Sequence, residues 1–303
     1  MARIIIAGGT GFVGKKLCQK FINENHEVIV LTRQPIQQHN ETSHLRYKQW
    51  GNNSKDWFDC IDGADAVINL AGASVAQRWT SDHKRRIFDS RVHGTNALST
   101  AIIEAKNPPA FFFSASAIGY YGNCGDTALN EESPGGQTND FLAYVCSEWE
   151  KSALRAAQHT RVVIGRIGIV LDKNEGALSK MLLPFTLGIG GPLGDGKQWW
   201  SWIHPSDVVG IIEWAMKEVS LTGAVNLTAP QPVRMKNFAK ELANTLSRPS
   251  LFPVPKFVLS LIMGESAVIA THSQNVIPEK ALRHGYQFTF TQLSECLSDI
   301  LHT

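Results

Sequence analysis

"IIIAGGTGFVGKKL", residues 4–17, is an apolar strand, a turn with glycines at 8, 11 and 14, and the first turns of an amphipathic helix. Glycine serves three needs in such a place. It permits a tight turn, lets the backbone approach a pyrophosphate closely, and lets the helix pack hard on the strand. The helix behind the turn points its unpaired N–H groups and its dipole at the same spot. Glycine spacing alone also fits an ordinary strand-to-helix turn. The strand before it and the helix after it make the dinucleotide-binding reading the better one.

Working outward, short β-branched runs alternate with segments of helical period, the pattern of parallel strands joined by crossover helices. "RIIIA", "EVIVL", "ADAVINLAG", "AFFFSAS" and "RVVIGRIGIVL" read as buried strands. Residues 12–24, about 80–105 and about 139–158 read as helices, the second ended by Asn107-Pro108-Pro109. Beyond residue 172 the chain turns to loops punctuated by Gly and Pro, and a smaller second lobe is expected there. The division predicted is a nucleotide-binding domain over 1–172, with 203–228 returning to it, and a substrate lobe from 173–202 and 229–303.

The 303 residues carry 29 basic and 27 acidic side chains, a formal charge of +2. Such a balance lends no support to a nucleic-acid or membrane partner, so a small-molecule ligand is expected. Five cysteines at 18, 60, 124, 146 and 296, an odd number without metal spacing, read as reduced packing residues in a cytoplasmic protein. No metal site is expected.

The end of the second strand selects between the nicotinamide cofactors. An NAD site usually places Asp or Glu there for the ribose 2′-hydroxyl. "LTRQP" offers Thr32 and Arg33 instead, and the planar guanidinium of Arg33 suits a 2′-phosphate. NADP(H) is therefore the cofactor expected; the competing reading makes Arg33 a solvated loop charge. "INLAG" ends another strand with Leu70, Ala71 and Gly72, small enough at the end for a dinucleotide to cross, or simply a tight turn.

Together these stretches, with "SASAIGYYG", "FLAYVCSEWE", "GRIGIVL", "GGPLGDGKQWWSWIHPSDVV" and the tail from "NFAKELANTLSRP", resemble the epimerase family of extended short-chain dehydrogenases/reductases, the group like nucleoside-diphosphate-sugar epimerases. The resemblance runs nearly end to end. It implies an α/β fold: a Rossmann doubly wound parallel sheet that holds NADP(H), with a smaller C-terminal α/β lobe over a substrate cleft. Carried onto this chain, it implies that Gly8, Thr10, Gly11, Phe12, Val13 and Gly14 form the pyrophosphate loop and that Arg33 selects NADP. Leu70, Ala71 and Gly72 fall beside adenosine and ribose, and Ser90 and Arg91 on the helix bordering the cofactor, where a cap and a surface charge are the plainer alternative. A small carbonyl or nucleotide-sugar substrate is the expectation, with a homodimer through helices 80–105 and 139–158 left open.

The resemblance carries a problem. Relatives of this kind transfer a proton through Tyr, with Lys four residues later lowering its pKa. In "FLAYVCSEWEKSA", residues 141–153, anchoring on Glu150 puts Leu142 and Cys146 in those two slots. Anchoring on Tyr144 puts Glu148 where the lysine belongs, and a carboxylate would raise the tyrosine pKa. Ser116 takes the substrate-facing serine slot, with a turn-forming serine as the alternative. Tyr120, Tyr121, Tyr144 and Cys146 are weak substitutes, because such residues in apolar segments usually belong to the core. Trp199, Trp200 and Trp202 could wall a ring-shaped substrate beside Lys197 or Gln198, while His204 and Asp207 read as a helix start, with Asp207 near its N-terminus in a capping role, in preference to a catalytic pair. Two functions stay open: an NADP(H)-dependent oxidoreductase or epimerase, and a non-catalytic NADP(H)-binding redox sensor or assembly factor.

Overall fold

The computed structural model describes residues 1–36, 40–51, 55–250 and 252–302. Seven strands form one sheet: β1 (Arg3–Ala7), β2 (Glu27–Thr32), β3 (Leu45–Gln49), β4 (Ala66–Asn69), β5 (Phe111–Ala117), β6 (Arg161–Ile167) and β7 (Gly223–Leu227). All neighbours pair in parallel, in the spatial order β7-β6-β5-β4-β1-β2-β3. The chain therefore winds outward from β1 in both directions, and the order reverses between β1 and β4, where an open α/β sheet leaves a crevice at its carboxyl edge.

The helices are α1 (Phe12–Asn23), α2 (Ser81–Glu104), α3 (Phe141–Leu154), α4 (Gly176–Thr186), α5 (Pro205–Lys217), α6 (Met235–Thr245), α7 (Lys256–Met263), α8 (Val268–Thr271), α9 (Glu279–Arg283) and α10 (Leu293–His302). Successive strand residues point to opposite faces, and both faces are covered. Ile4, Ile6, Val28, Val30, Ile68 and Phe113 pack with Leu17 and Phe21 of α1 and Val208, Ile211 and Ile212 of α5. Ile5, Leu31, Val67, Phe112 and Ile164 pack with Leu98, Ala101 and Ile102 of α2 and Ala153 of α3. Two buried faces explain why the strands read as unbroken apolar runs. This is the Rossmann doubly wound α/β sheet.

A third core joins α4, α6 and α10 through Leu178, Phe185, Phe238, Leu242, Cys296 and Leu297, with Trp200 and Trp202 inside it. It is tied to the sheet at the start of α5, where the Asp207 carboxylate accepts from the backbone N–H of Thr289 at 2.8 Å and of Phe290 at 3.0 Å. On the opposite side, Lys180 of α4 donates to the carbonyl of Ala76 at 2.8 Å, bringing this lobe over the loop that leaves β4. Among the described residues no helix is long and apolar enough to cross a membrane.

Candidate functional site

The glycine turn is pressed between two strands. Gly8 has φ +83°, and a Cβ built on it would lie 2.7 Å from the carbonyl carbon of Leu70. A Cβ on Gly14 would lie 2.2 Å from the Gly8 oxygen. Side chains are excluded at both positions by backbone, leaving a bare peptide cradle between β1, α1 and the exit of β4. Gly11 closes the turn by donating to the Gly8 carbonyl at 3.0 Å. Gly11 also caps α1 without a side chain, and no acidic residue occupies the first turn. The leading N–H groups of α1 are thus left for an anion. Thr10 and Gly11 are exposed beside them, and Phe12 and Val13 half-buried.

At the end of β2, Thr32 is buried and accepts from the N–H of Gln34 at 3.1 Å. Arg33 is exposed and has no ion-pair partner among the described residues. The end of β4 is held by a buried polar cluster. Asn69 accepts from the N–H of Ala71 at 3.1 Å and donates to Thr95 Oγ1 at 2.7 Å, and the Trp149 indole N–H donates to the same oxygen at 2.8 Å. Next along, Ser90 accepts from the N–H of Ala73 at 2.9 Å while Arg91 Nη1 donates to its carbonyl at 2.9 Å. Arg91 turns inward, so the surface-charge alternative does not describe it. The residues singled out as cofactor contacts thus lie at the carboxyl ends of β1, β2 and β4, or on the segments of α1 and α2 facing them.

The proton-transfer candidates sit differently. Ser116 is 2% exposed and donates to Glu150 Oε1 at 2.7 Å. Glu150 in turn receives both arms of Arg166, Nε to Oε1 and Nη2 to Oε2, each at 2.9 Å. Arg166 Nη1 donates to the Tyr121 oxygen at 3.0 Å, and Tyr121 bonds Asn226 Oδ1 at 2.7 Å. A hydroxyl whose proton is given to a buried carboxylate must leave it before it can donate to a substrate. Burial raises the Tyr121 phenol to about 12 despite the help of Arg166. Tyr120 lies under the Arg166 guanidinium at 3.5 Å. Tyr144, 40% exposed, stacks on Phe88 at the surface of α2 and α3. Burial pushes the Cys146 thiol up to about 11, although the charge of Arg91 pulls it down; a thiol so raised is not a nucleophile at neutral pH. Leu142 packs against the apolar cluster of Trp79, Ile87 and Val145.

The tryptophan loop departs from the expected wall. Trp200 and Trp202 are 3% and 0% exposed, and only Trp199 reaches the surface, with the Arg234 guanidinium 4.3 Å from its ring. Gln198 is buried, donating to the carbonyls of Leu193 and Ala270 at 2.9 Å. His204 rather than Asp207 caps α5: its Nδ1 accepts from the N–H of Ser206 at 3.1 Å, while Nε2 faces Asp299 at 3.2 Å. Burial holds the His204 pKa below its ordinary value against the pull of Asp299. The sequence pattern located the helix start and missed which side chain does the capping.

Residues 4–227 match the model of the NAD-dependent epimerase/dehydratase family. The chain belongs to that family. Residues 254–300 match a second model, a domain of unknown function, DUF1731. An Arabidopsis thaliana relative named epimerase family protein SDR39U1 homolog, chloroplastic, is 38% identical over 98% of this chain and 86% of its own length. Bacillus subtilis epimerase family protein YfhF is 35% identical over 98% of this chain and 97% of its own. Among solved structures, human epimerase family protein SDR39U1 with NADPH superposes with a TM-score of 0.88 at 32% identity, covering 99% of both chains. A nucleoside-diphosphate sugar epimerase from Corynebacterium glutamicum superposes at 0.79 and 30% identity, over 99% of this chain and 58% of that one.

Proposed function

We propose that the chain binds NADP(H) along the carboxyl edge of its sheet and acts as an oxidoreductase or epimerase on a small carbonyl or nucleotide-sugar-like substrate. The observation that carries this reading is the bare cradle between β1 and β4, where a Cβ at Gly8 or Gly14 would strike backbone. Exposed Arg33 stands unpaired, among the described residues, at the end of the neighbouring β2. Gly8, Thr10, Gly11, Phe12, Val13 and Gly14 hold the pyrophosphate. Thr32 and Arg33 receive the 2′-phosphate, and Leu70, Ala71, Gly72 and Arg91 border the remainder. The human relative solved with NADPH supports the choice of cofactor. The cofactor supplies or accepts hydride; the chain binds it and orients it. Ser116 polarises the substrate oxygen after its hydroxyl swings off Glu150. With Leu142 and Cys146 in the relay positions of α3, solvent supplies the proton.

One observation favours a second reading, a redox sensor or assembly factor that holds NADP(H) without turnover: the Ser116 hydroxyl and the Cys146 thiol are both buried, the first spent on Glu150 and the second raised in pKa. The fold serves either function. The deciding experiment is to purify the protein, identify the nucleotide that accompanies it, and follow NADPH absorbance against a panel of carbonyl compounds and nucleotide sugars. Turnover that Ser116→Ala abolishes while NADPH still binds supports the enzyme. Tight NADPH with no turnover across the panel selects the sensor. The five free thiols fit the reducing cytoplasm, and Tyr144 and Leu154, 40% and 46% exposed on α3, suit a homodimer contact that a solution mass measurement checks.

A further inference from the structure

Among the described residues no carboxylate pairs with the charge of Arg91, which bonds only main-chain carbonyls. The side chain rises from α2 beneath the loop leaving β4. Its Nη1 is spent on two main-chain carbonyls, Ala73 at 2.9 Å and Ile87 at 3.3 Å. The Trp149 ring lies 5.1 Å from the guanidinium carbon. A Cβ built on Gly72 would stand 3.0 Å from both Cζ and Nη2, so the guanidinium lies directly against bare glycine backbone at the lip of the crevice. Among the described residues no carboxylate pairs with it, and Nε and Nη2 have no acceptor. Burial holds its pKa below the arginine norm. A desolvated cation without a counter-charge is costly, and two free donors beside an open crevice indicate that a ligand completes the set.

The topology says which part of a ligand arrives there. A dinucleotide whose pyrophosphate sits on the Gly8–Gly14 turn extends one half toward β2, where Thr32 and Arg33 stand. Its other half crosses toward β4, the strand on the opposite side of β1. Gly72, exposed just beyond the end of β4 and expected from the resemblance beside adenosine and ribose, lies on this other side of the turn, where that half would meet backbone. In a nicotinamide dinucleotide the group next after the pyrophosphate is a ribose with two free hydroxyls. From α3, Trp149 lies against the guanidinium, and the buried thiol of Cys146 feels the opposing charges of Arg91 and Glu150. We infer that Arg91 supplies from α2 the cation that α3 lacks at position 146, donating from Nε and Nη2 to the hydroxyls of the nicotinamide-side ribose. The inference rests on the NADP(H) reading and assigns a residue to one half of the cofactor.

Calorimetric titration with two ligands tests it: NADPH, and adenosine 2′,5′-bisphosphate, which carries only the 2′-phosphate end. Arg91→Met weakens NADPH about tenfold or more, the loss of hydrogen bonds from a charged donor, and leaves the bisphosphate within about twofold. Should Arg91→Met not fold, Arg91→Lys carries the same comparison, because an ammonium keeps the charge and loses the fork. NADPH weakened against an unchanged bisphosphate supports the assignment with either variant. NADPH bound as tightly as by the wild type, or both ligands weakened equally, overturns it. If the wild-type protein binds neither ligand, the NADP(H) reading itself has failed, and this assignment with it. Bisphosphate bound tightly with NADPH insensitive to Arg91 leaves that reading standing and sinks the assignment alone.

Discussion

Glu150→Gln is the perturbation with the largest expected cost. The Glu150 and Arg166 side chains are 9% and 5% exposed and meet through two parallel bonds at 2.9 Å, so each neutralises a charge that water does not reach. Glutamine preserves shape and keeps one acceptor, yet leaves the guanidinium uncompensated beside Tyr120 and Tyr121. Breaking one partner of a buried pair costs about 3–5 kcal/mol, and the retained acceptor places this variant near the lower end, about 3 kcal/mol. At about 2 °C per kcal/mol for a chain of this length, the melting temperature falls by about 6 °C. Glu150→Met combined with Arg166→Met removes both charges and costs less than the sum of the two single methionine variants, with a coupling on the order of 2–3 kcal/mol. Urea denaturation of the wild type, Glu150→Gln, the two methionine singles and the double variant measures all of this. A Glu150→Gln cost under about 1 kcal/mol, or strict additivity in the methionine cycle, would refute the picture of a desolvated pair anchoring Ser116.

Two other outcomes follow from local geometry. Gly14→Ala places a Cβ 2.2 Å from the Gly8 carbonyl oxygen and 2.7 Å from Gly9 Cα, neither of which can rotate aside; stability falls by about 1–3 kcal/mol and NADPH affinity falls with it, and a variant with wild-type melting and binding contradicts the cradle. His204 must keep the Nδ1 lone pair to accept from Ser206, and its folded pKa lies below the ordinary value. Below about pH 6.5 the unfolded chain therefore binds a proton that the folded chain refuses, so this contribution to stability is complete above that pH and is lost as pH falls. His204→Asn keeps a capping acceptor without titrating, and its denaturation midpoint shows less decline than the wild type on acidification; parallel pH profiles for the two proteins refute the role.

The doubly wound core was legible because both faces of the sheet are covered. Continuous apolar runs marked β1, β2, β4, β5 and β6, and 12–24 and 80–105 anticipated α1 and α2 to within a residue. β3, "LRYKQ", escaped because it is a half-exposed edge strand with polar alternation, and β7, "GAVNL", because it begins with glycine and holds Val225 as its one β-branched residue, next to polar Asn226. Trp200 and Trp202 looked like a substrate wall because sequence cannot distinguish an aromatic lining a cleft from one filling a second core. The same limit applies to Ser116. Its position in the chain was readable, but its orientation is set by Glu150 and Arg166, which lie 34 and 50 residues further along the chain.

Whether Arg33 selects NADP(H) is decided by a competition titration of NADPH against NADH with the wild-type protein and Arg33→Ala. Because Arg33 is exposed, its contact with a 2′-phosphate is partly screened and is worth about tenfold in affinity. The wild type is expected to prefer NADPH by about that factor, and Arg33→Ala to erase the preference by weakening NADPH while leaving NADH unchanged. Equal affinity for the two dinucleotides in the wild type, or a preference that survives the loss of Arg33, would contradict that selection.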